Sequence, residues 1–356
     1  MTTRLVSKLL LGLVGAVVIA IGNSKFTAVT ATTSFSYSVT DLGTLSGNDS
    51  WSHENCYAEG INDQGQVVGI CSQNQGDGRF SFAAFKWNNG KMTRLSGGSN
   101  GSAKGINNAG QVVGHVTVMG LGTTRTPHAT LWNNDGSAKD LKPVSGTHNT
   151  ASSINYRGLV VGSSTRMSDL SKQAFLWQNG IMKELGTLGG KNSVANGINY
   201  RGLVVGESST SSGLSHAFLW NKGKMIDLGT LGGSSSVANG INNRGQVVGG
   251  SDTNSSYHAF KWENDTMTDL GSLNGKNTIA TAINNRGTVV GHSLSSPNAA
   301  LRAFVWRHGK MTDLNSLLPA TSGWVLYSAT DINNRGQIVG YGNKGAFLLT
   351  PTWITK

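Results

Sequence analysis

The pattern I-N-x-x-G-x-V-V-G occurs seven times in this chain, and that recurrence limits the fold more than any other feature. Its leading residues are Ile61, Ile106, Ile154, Ile198, Ile241, Ile283 and Ile332, spaced 45, 48, 44, 43, 42 and 49 residues apart. Only the last copy replaces a valine, with Ile338. Each copy is followed by Ala-Phe-x-Trp or a near variant, beginning at Ala84, Ala129, Ala174, Ala217, Ala259, Ala303 and Ala346. Two copies deviate, with Thr130 ahead of Leu131 and with Leu349 in place of the last Trp. Met-x-x-Leu then follows at Met92, Met182, Met225, Met267 and Met311.

Each unit reads as four short strands, A to D, because runs of valine and aromatic residues are bounded by Gly and Asn. Asn-Asn-Arg-Gly closes a hairpin between A and B, and Asn-Gly closes one between C and D. Four strands in about 45 residues match a propeller blade better than a β-helix coil or a helical repeat. The chain ends support a ring. The last unit stops at Lys356 without a D strand, while Val39 to Leu45 match one and precede the first unit. Placed beside strand C of the last unit, that segment removes an exposed sheet edge. The expectation is an all-β, seven-bladed β-propeller of four-stranded antiparallel blades, closed by an N-terminal strand; an open solenoid is the alternative. Blades are expected near residues 51-95, 96-142, 143-186, 187-229, 230-271, 272-315, and 316-356 plus 36-45, as one domain over 32-356.

Composition agrees. With 49 Gly, 13% charged and 37% hydrophobic residues, the chain has too many core formers for disorder and too much glycine for a helix bundle. Arg4 and Lys8 precede an uncharged stretch whose apolar part, Leu9 to Ile21, would span about 20 Å as a helix, short of the ~30 Å hydrocarbon layer. With small residues at Val29 and Ala31, residues 1-31 read as a signal peptide, leaving no membrane span after cleavage. Secretion is expected, with the periplasm as the alternative. Cys56 and Cys71 flank the first A-B turn and would face each other as a disulfide; two buried thiols are the other reading. A bulge at Gly65 would make the pair diagonal.

The units resemble the HAF repeats of predicted extracellular bacterial proteins, since His216-Ala217-Phe218 and His258-Ala259-Phe260 spell the triplet and the other motifs recur in order with Asp-Leu-Gly-Thr-Leu-Gly-Gly. The resemblance covers nearly the whole mature chain. It implies secretion and a propeller-like β repeat, and brings no catalytic residues.

Two faces emerge. The A-B turns place Arg157, Arg201, Arg244, Arg286 and Arg335 at one equivalent position, with Gln64 and Ala109 in the first two blades. Lys91, Lys224 and Lys310 add to the same side. This basic face could attract an anionic polymer, or its charges could simply be solvated, being about a Debye length apart. The opposite face carries variable Ser-, Thr- and Asn-rich loops, where His216, Tyr257 and His258 are candidates for sugar or peptide contacts. His128, His216 and His258 lie on separate blades and cannot converge on a metal, so hydrogen bonding to a neighbouring loop is expected instead. The segment Ile61 to Gly65 resembles a calcium loop only faintly. The recurrent tryptophans read as inter-blade core. No cofactor, metal or catalytic residue is assigned, and no nucleophile elbow, H-E-x-x-H or phosphate-binding loop occurs. The expected function is a non-catalytic binding module for extracellular glycan, anionic glycan included, or a surface protein, in preference to small molecules and with nucleic acid disfavoured. The rival is a polysaccharide hydrolase or lyase, which would need two carboxylates meeting in a pocket.

Overall fold

The computed structural model describes residues 33–45, 54–74, 79–97, 100–119, 125–142, 148–273, 277–294 and 301–355. The expected signal segment 1-31 lies outside them. The described residues form seven four-stranded antiparallel sheets arranged as a β-propeller, with helix only in two short 3-10 turns. Blade 1 is representative, running through Glu54–Ile61, Val67–Asn74, Phe80–Asn88 and Lys91–Arg94 from the central channel outward.

The motif explains the blade. Asn62 N–H donates to Gln66 O and Gly65 N–H to Asn62 O, so the A-B turn closes on its own backbone, with Gly65 at a φ of 83° that only glycine takes easily. The glycine of Val-Val-Gly has another cause. A Cβ on Gly206 would lie 1.9 Å from Val194 O, and the equivalent approach recurs on Gly69, Gly114, Gly162, Gly249, Gly291 and Gly340. Strand A bulges at this height in every blade, as between Ala195 and Gly197, and pushes a carbonyl toward strand B. The Phe of Ala-Phe-x-Trp is fully buried in the six blades that have it, and its ring lies against that glycine, as Phe85 does on Gly69. Trp87, Trp132, Trp177 and Trp220 are buried, and Trp262 and Trp306 pack against the inter-blade clusters.

The ring closes through Thr33–Asp41, which becomes strand D of the blade whose other strands are Leu326–Ile332, Ile338–Gly342 and Gly345–Thr355. Its register runs from Thr33 opposite Thr355 to Asp41 opposite Phe347. These strands are nine and eleven residues long, whereas strand D has three or four residues in the other blades. The longest C-D ladder thus sits where covalent continuity is missing. Tyr37 packs between the sixth and seventh blades, and Leu42 between the seventh and first.

Cys56 and Cys71 form a disulfide, with sulfurs 2.01 Å apart. The strand A bulge between Ala58 and Gly60 shifts the register by one and sets the two cysteines directly opposite. The pairing therefore depends on a bulge in the strand, away from the turn. Replacing both cysteines by alanine is expected to lower stability by about 2–3 kcal/mol, the loop-entropy value for a short closed loop, given the separation of 15 residues. Denaturant melts of the variant check this; an unchanged midpoint would remove the bridge from the list of stabilising features.

Candidate binding face

The motif asparagine forms a continuous ring around the channel. Asn62, Asn107, Asn155, Asn199, Asn242, Asn284 and Asn333 are all buried. Each Nδ2 donates to the backbone carbonyl of its counterpart in the next blade at 3.0–3.1 Å, and Asn333 returns to Asn62. Each Oδ1 accepts two backbone N–H groups of its own turn, as Asn199 does from Arg201 and Leu203. Each amide thus makes at least three hydrogen bonds, and Asn62, Asn107, Asn242 and Asn333 donate a further one to the Gln of their own turn, which is what burial of a polar group requires.

A second chain of amides lies one residue further on, at the channel mouth. Tyr200 N–H donates to Asn243 Oδ1, Asn243 to Asn285, Asn285 to Asn334, Asn334 to Asp63 and Asp63 to Asn108, at 2.8–3.0 Å. Blades 3 and 4 interrupt it with Tyr156 and Tyr200, whose rings stack at 4.6 Å and stand 54% and 51% exposed. These residues line a cavity of about 410 Å³. Burial pushes the Asp63 carboxyl up. Hydrogen bonds from Asn334 and Asn108, with the Arg335 charge, outweigh it and hold the group below its ordinary value.

Beneath this mouth, the isoleucines of the motif narrow the channel, and a lower compartment of about 210 Å³ follows. It contains Glu59, ion-paired with Lys104 at 2.7 Å, and Asp331. Asp331 Oδ2 accepts from Ile61 N–H at 2.9 Å and Oδ1 from Ile332 N–H at 2.8 Å. Desolvation by the channel wall outweighs those bonds and raises its pKa to about 7. A raised carboxyl binds its proton more tightly folded than unfolded, so its contribution weakens as pH climbs from about 4 to 7 and is level above. Solvent in the channel screens part of this. The stability difference between wild type and Asp331→Asn should therefore shift in favour of the variant by on the order of 2 kcal/mol between pH 4 and 7.5. Paired melts at both pH values test it; a pH-independent difference would show that Asp331 titrates normally.

Arg157, Arg201, Arg244, Arg286, Arg335, Lys224 and Lys310 are exposed on the turn face. They are distributed around the rim, one or two per blade; of them, Arg286 and Arg335 border one pocket between blades 6 and 7. Arg157 and Arg201 directly follow Tyr156 and Tyr200. On the loop side, His216 and His258 donate Nδ1–H to the carboxylates of Asp227 and Asp269 at 2.8 Å, as His128 does to Asp140. The expected loop partner is thus replaced by the aspartate of strand D in the same blade. That aspartate also accepts the N–H of Gly229 or Gly271, which gives Asp-Leu-Gly its structural meaning. Tyr257 is half-buried over Gly250, and burial with the nearby Asp252 and Glu207 charges pushes its hydroxyl to about 12. His216 and His258 are each tied within their own blade.

Ser256 Oγ lies 3.0 Å from His258 Nε2, completing a Ser-His-Asp row. Ser255 and Ser256 N–H both turn to Thr253 Oγ1 rather than toward a site where an oxyanion would form. The same His-Asp pair recurs in blades 2 and 4, where no serine follows the histidine ring. Sequence reasoning did not single out Tyr156, Tyr200, Glu59 or Asp331. The tyrosines were visible as the only aromatic residues at their turn position. The two carboxylates carried no signal, because strand A residues reach the channel only once the ring is formed.

Residues 23–144 match the family described as "Protein of unknown function (DUF3466)". No sequence among curated proteins matches the chain. Among solved structures, the β-propeller domain of the Trilobed protease from Pyrococcus furiosus is similar at a TM-score of 0.54 and 11% identity, over 85% of this chain and 95% of that one. Pyrococcus horikoshii acylaminoacyl peptidase is similar at 0.51 and 12% identity, over 85% of this chain and 52% of that one. This chain thus spans about half the length of the peptidase, and the likeness is one of fold.

Proposed function

We propose that this protein is an exported, non-catalytic binding module that takes an anionic glycan on its turn face. The carrying observation is the exposed, stacked pair Tyr156 and Tyr200 at the channel mouth, flanked by Arg157 and Arg201 and bordered by side-chain amides. Aromatic faces accept the apolar face of a sugar ring, amides accept and donate to hydroxyls, and guanidinium pairs with carboxylate or sulfate. The rigid ring beneath keeps these groups in place before binding, which limits the entropy lost on association. The disulfide supports an oxidising compartment, and among the described residues no helix is long and apolar enough to cross a membrane.

Replacing Tyr156 and Tyr200 together by alanine is expected to weaken binding of a uronic-acid or sulfated oligosaccharide about 10- to 30-fold, two aromatic contacts at roughly 1 kcal/mol each. The melting temperature should barely move, since both rings are exposed. Glycan binding undiminished in that variant would end this reading. One observation favours the rival hydrolase: Glu59 and Asp331 share the lower compartment, one ion-paired and one with a raised pKa, which is how an acid and a base are set apart. Turnover of any polysaccharide that is lost in Asp331→Asn would select it.

A further inference from the structure

We infer that the seam between blades 6 and 7 holds a separate site for a tetrahedral oxyanion, a sulfate or phosphate ester carried on a sugar ring. A pocket of about 340 Å³ opens there on the turn face, beside the channel mouth, with which it shares Asn284 and Ile332, and no carboxylate lines it. Three guanidinium groups border it: Arg286 from the A-B turn of blade 6, Arg307 at the end of strand C of the same blade, and Arg335 from the A-B turn of blade 7. His308 adds a fourth nitrogen donor group. None of these four side chains makes an ion pair or side-chain hydrogen bond among the described residues.

Two features separate this pocket from a solvated rim. First, Arg307 and His308 are not products of unit duplication. Strand C ends at those two positions with Asn88 and Asn89 in blade 1, Asn133 and Asn134 in blade 2, Gln178 and Asn179 in blade 3, Asn221 and Lys222 in blade 4, and Glu263 and Asn264 in blade 5. His308 even occupies a positive φ of 50°, a conformation that suits the asparagine found in its sisters. Arginine thus stands at the first of these positions in blade 6 alone, while the second is basic only here and at Lys222 of blade 4. Second, the wall is partly apolar and comes from the other end of the chain. The Phe35 ring in the closing strand has its centroid 4.2 Å from the Arg307 guanidinium carbon, which holds that side chain over the pocket, and Pro351, the cross-strand partner of Tyr37, lines the same wall. Three guanidinium groups bordering one pocket can pair with the oxygens of a tetrahedral anion, and the Phe35-Pro351 wall gives the ring that carries it a surface to cover.

The test is isothermal titration at low ionic strength with four probes: inorganic sulfate, inorganic phosphate, glucose 6-sulfate and glucose 6-phosphate. The expected result is binding of both esters, tighter than the inorganic ions, and at least tenfold weaker in Arg307→Asn/His308→Asn. That variant restores the amides of the sister blades, so its melting temperature should equal or exceed that of wild type, and lost binding then reports the site rather than the fold. Tyr156→Ala/Tyr200→Ala should keep ester binding unchanged, so a failure of the channel-mouth reading is seen separately. Equal binding of the esters to wild type and to Arg307→Asn/His308→Asn, or no binding to wild type, overturns the inference; tight binding of the inorganic ions alone overturns its sugar-ring part.

Discussion

A chain beginning at residue 46, lacking Thr33–Asp41 and Leu42, should lose on the order of 5–8 kcal/mol. Tyr37 and Leu42 are buried to 2% and 3% exposure, and each contributes roughly 1.5–3 kcal/mol by burial. Phe35 and Val39, packed against the same cluster, add part of that again. The sum approaches the whole stability of an ordinary domain. Deletion also uncovers Gly345–Thr355 as a long free edge, which invites pairing between molecules. Size-exclusion chromatography should therefore show association, and the denaturant transition should broaden and move to lower concentration. A synthetic peptide of residues 33–45 should restore both by adding the missing strand in trans. A truncated chain that melts like the full one would overturn closure through this strand.

The amide ring carries the second large effect. Asn199→Ala removes three hydrogen bonds at a buried position and leaves Arg201 N–H and Leu203 N–H without their acceptor, while Asn242 O keeps the N–H of Gly245. At about 1 kcal/mol each, with a further penalty for groups left unpaired, the variant should be roughly 3–4 kcal/mol less stable. Arg201→Ala, two residues along the turn and exposed, should change stability by less than about 0.5 kcal/mol. Asn199→Asp separates the two roles of the amide: it keeps both accepted bonds and sets an oxygen against Asn242 O. A loss as large as that of alanine would assign the ring its strength through the donated bond; a near-wild-type melt of Asn199→Ala would dissolve the idea of a stabilising ring.

The ring and its closure were legible because repetition makes the fold an addition problem: seven A-B-C runs, five Met-x-x-Leu D runs and the variant D strand Ala138–Asp140 of blade 2 leave one strand to find, and Val39 to Leu45 supplied it. The cysteine pairing was legible for a reason only partly right, since facing positions depend on the bulge between Ala58 and Gly60. The site was far less readable. The arginines of the turn face announce themselves by repetition, but repetition also spreads them around the rim. What converges is what breaks the pattern: Tyr156 and Tyr200 where other blades have amides or Asp63, and Asp331 where they have Gly, Ala or Ser. A strand-period reading could not show that Glu59 and Asp331, 272 residues apart in sequence, look into one compartment. The histidines misled through proximity in the sequence to loops, while their partners sat across the C-D ladder.

The seven asparagines all donate in the same rotational sense, so every repeat brings one hydrogen and one lone pair to its two boundaries. Such a joint is indifferent to which copy stands on either side. Copying or excising an entire unit in the gene leaves no polar group stranded, whereas a cut at any other phase would. The same rule frees the connecting segments to drift in length, which is where the spread from 42 to 49 residues between copies can accumulate without touching the hub.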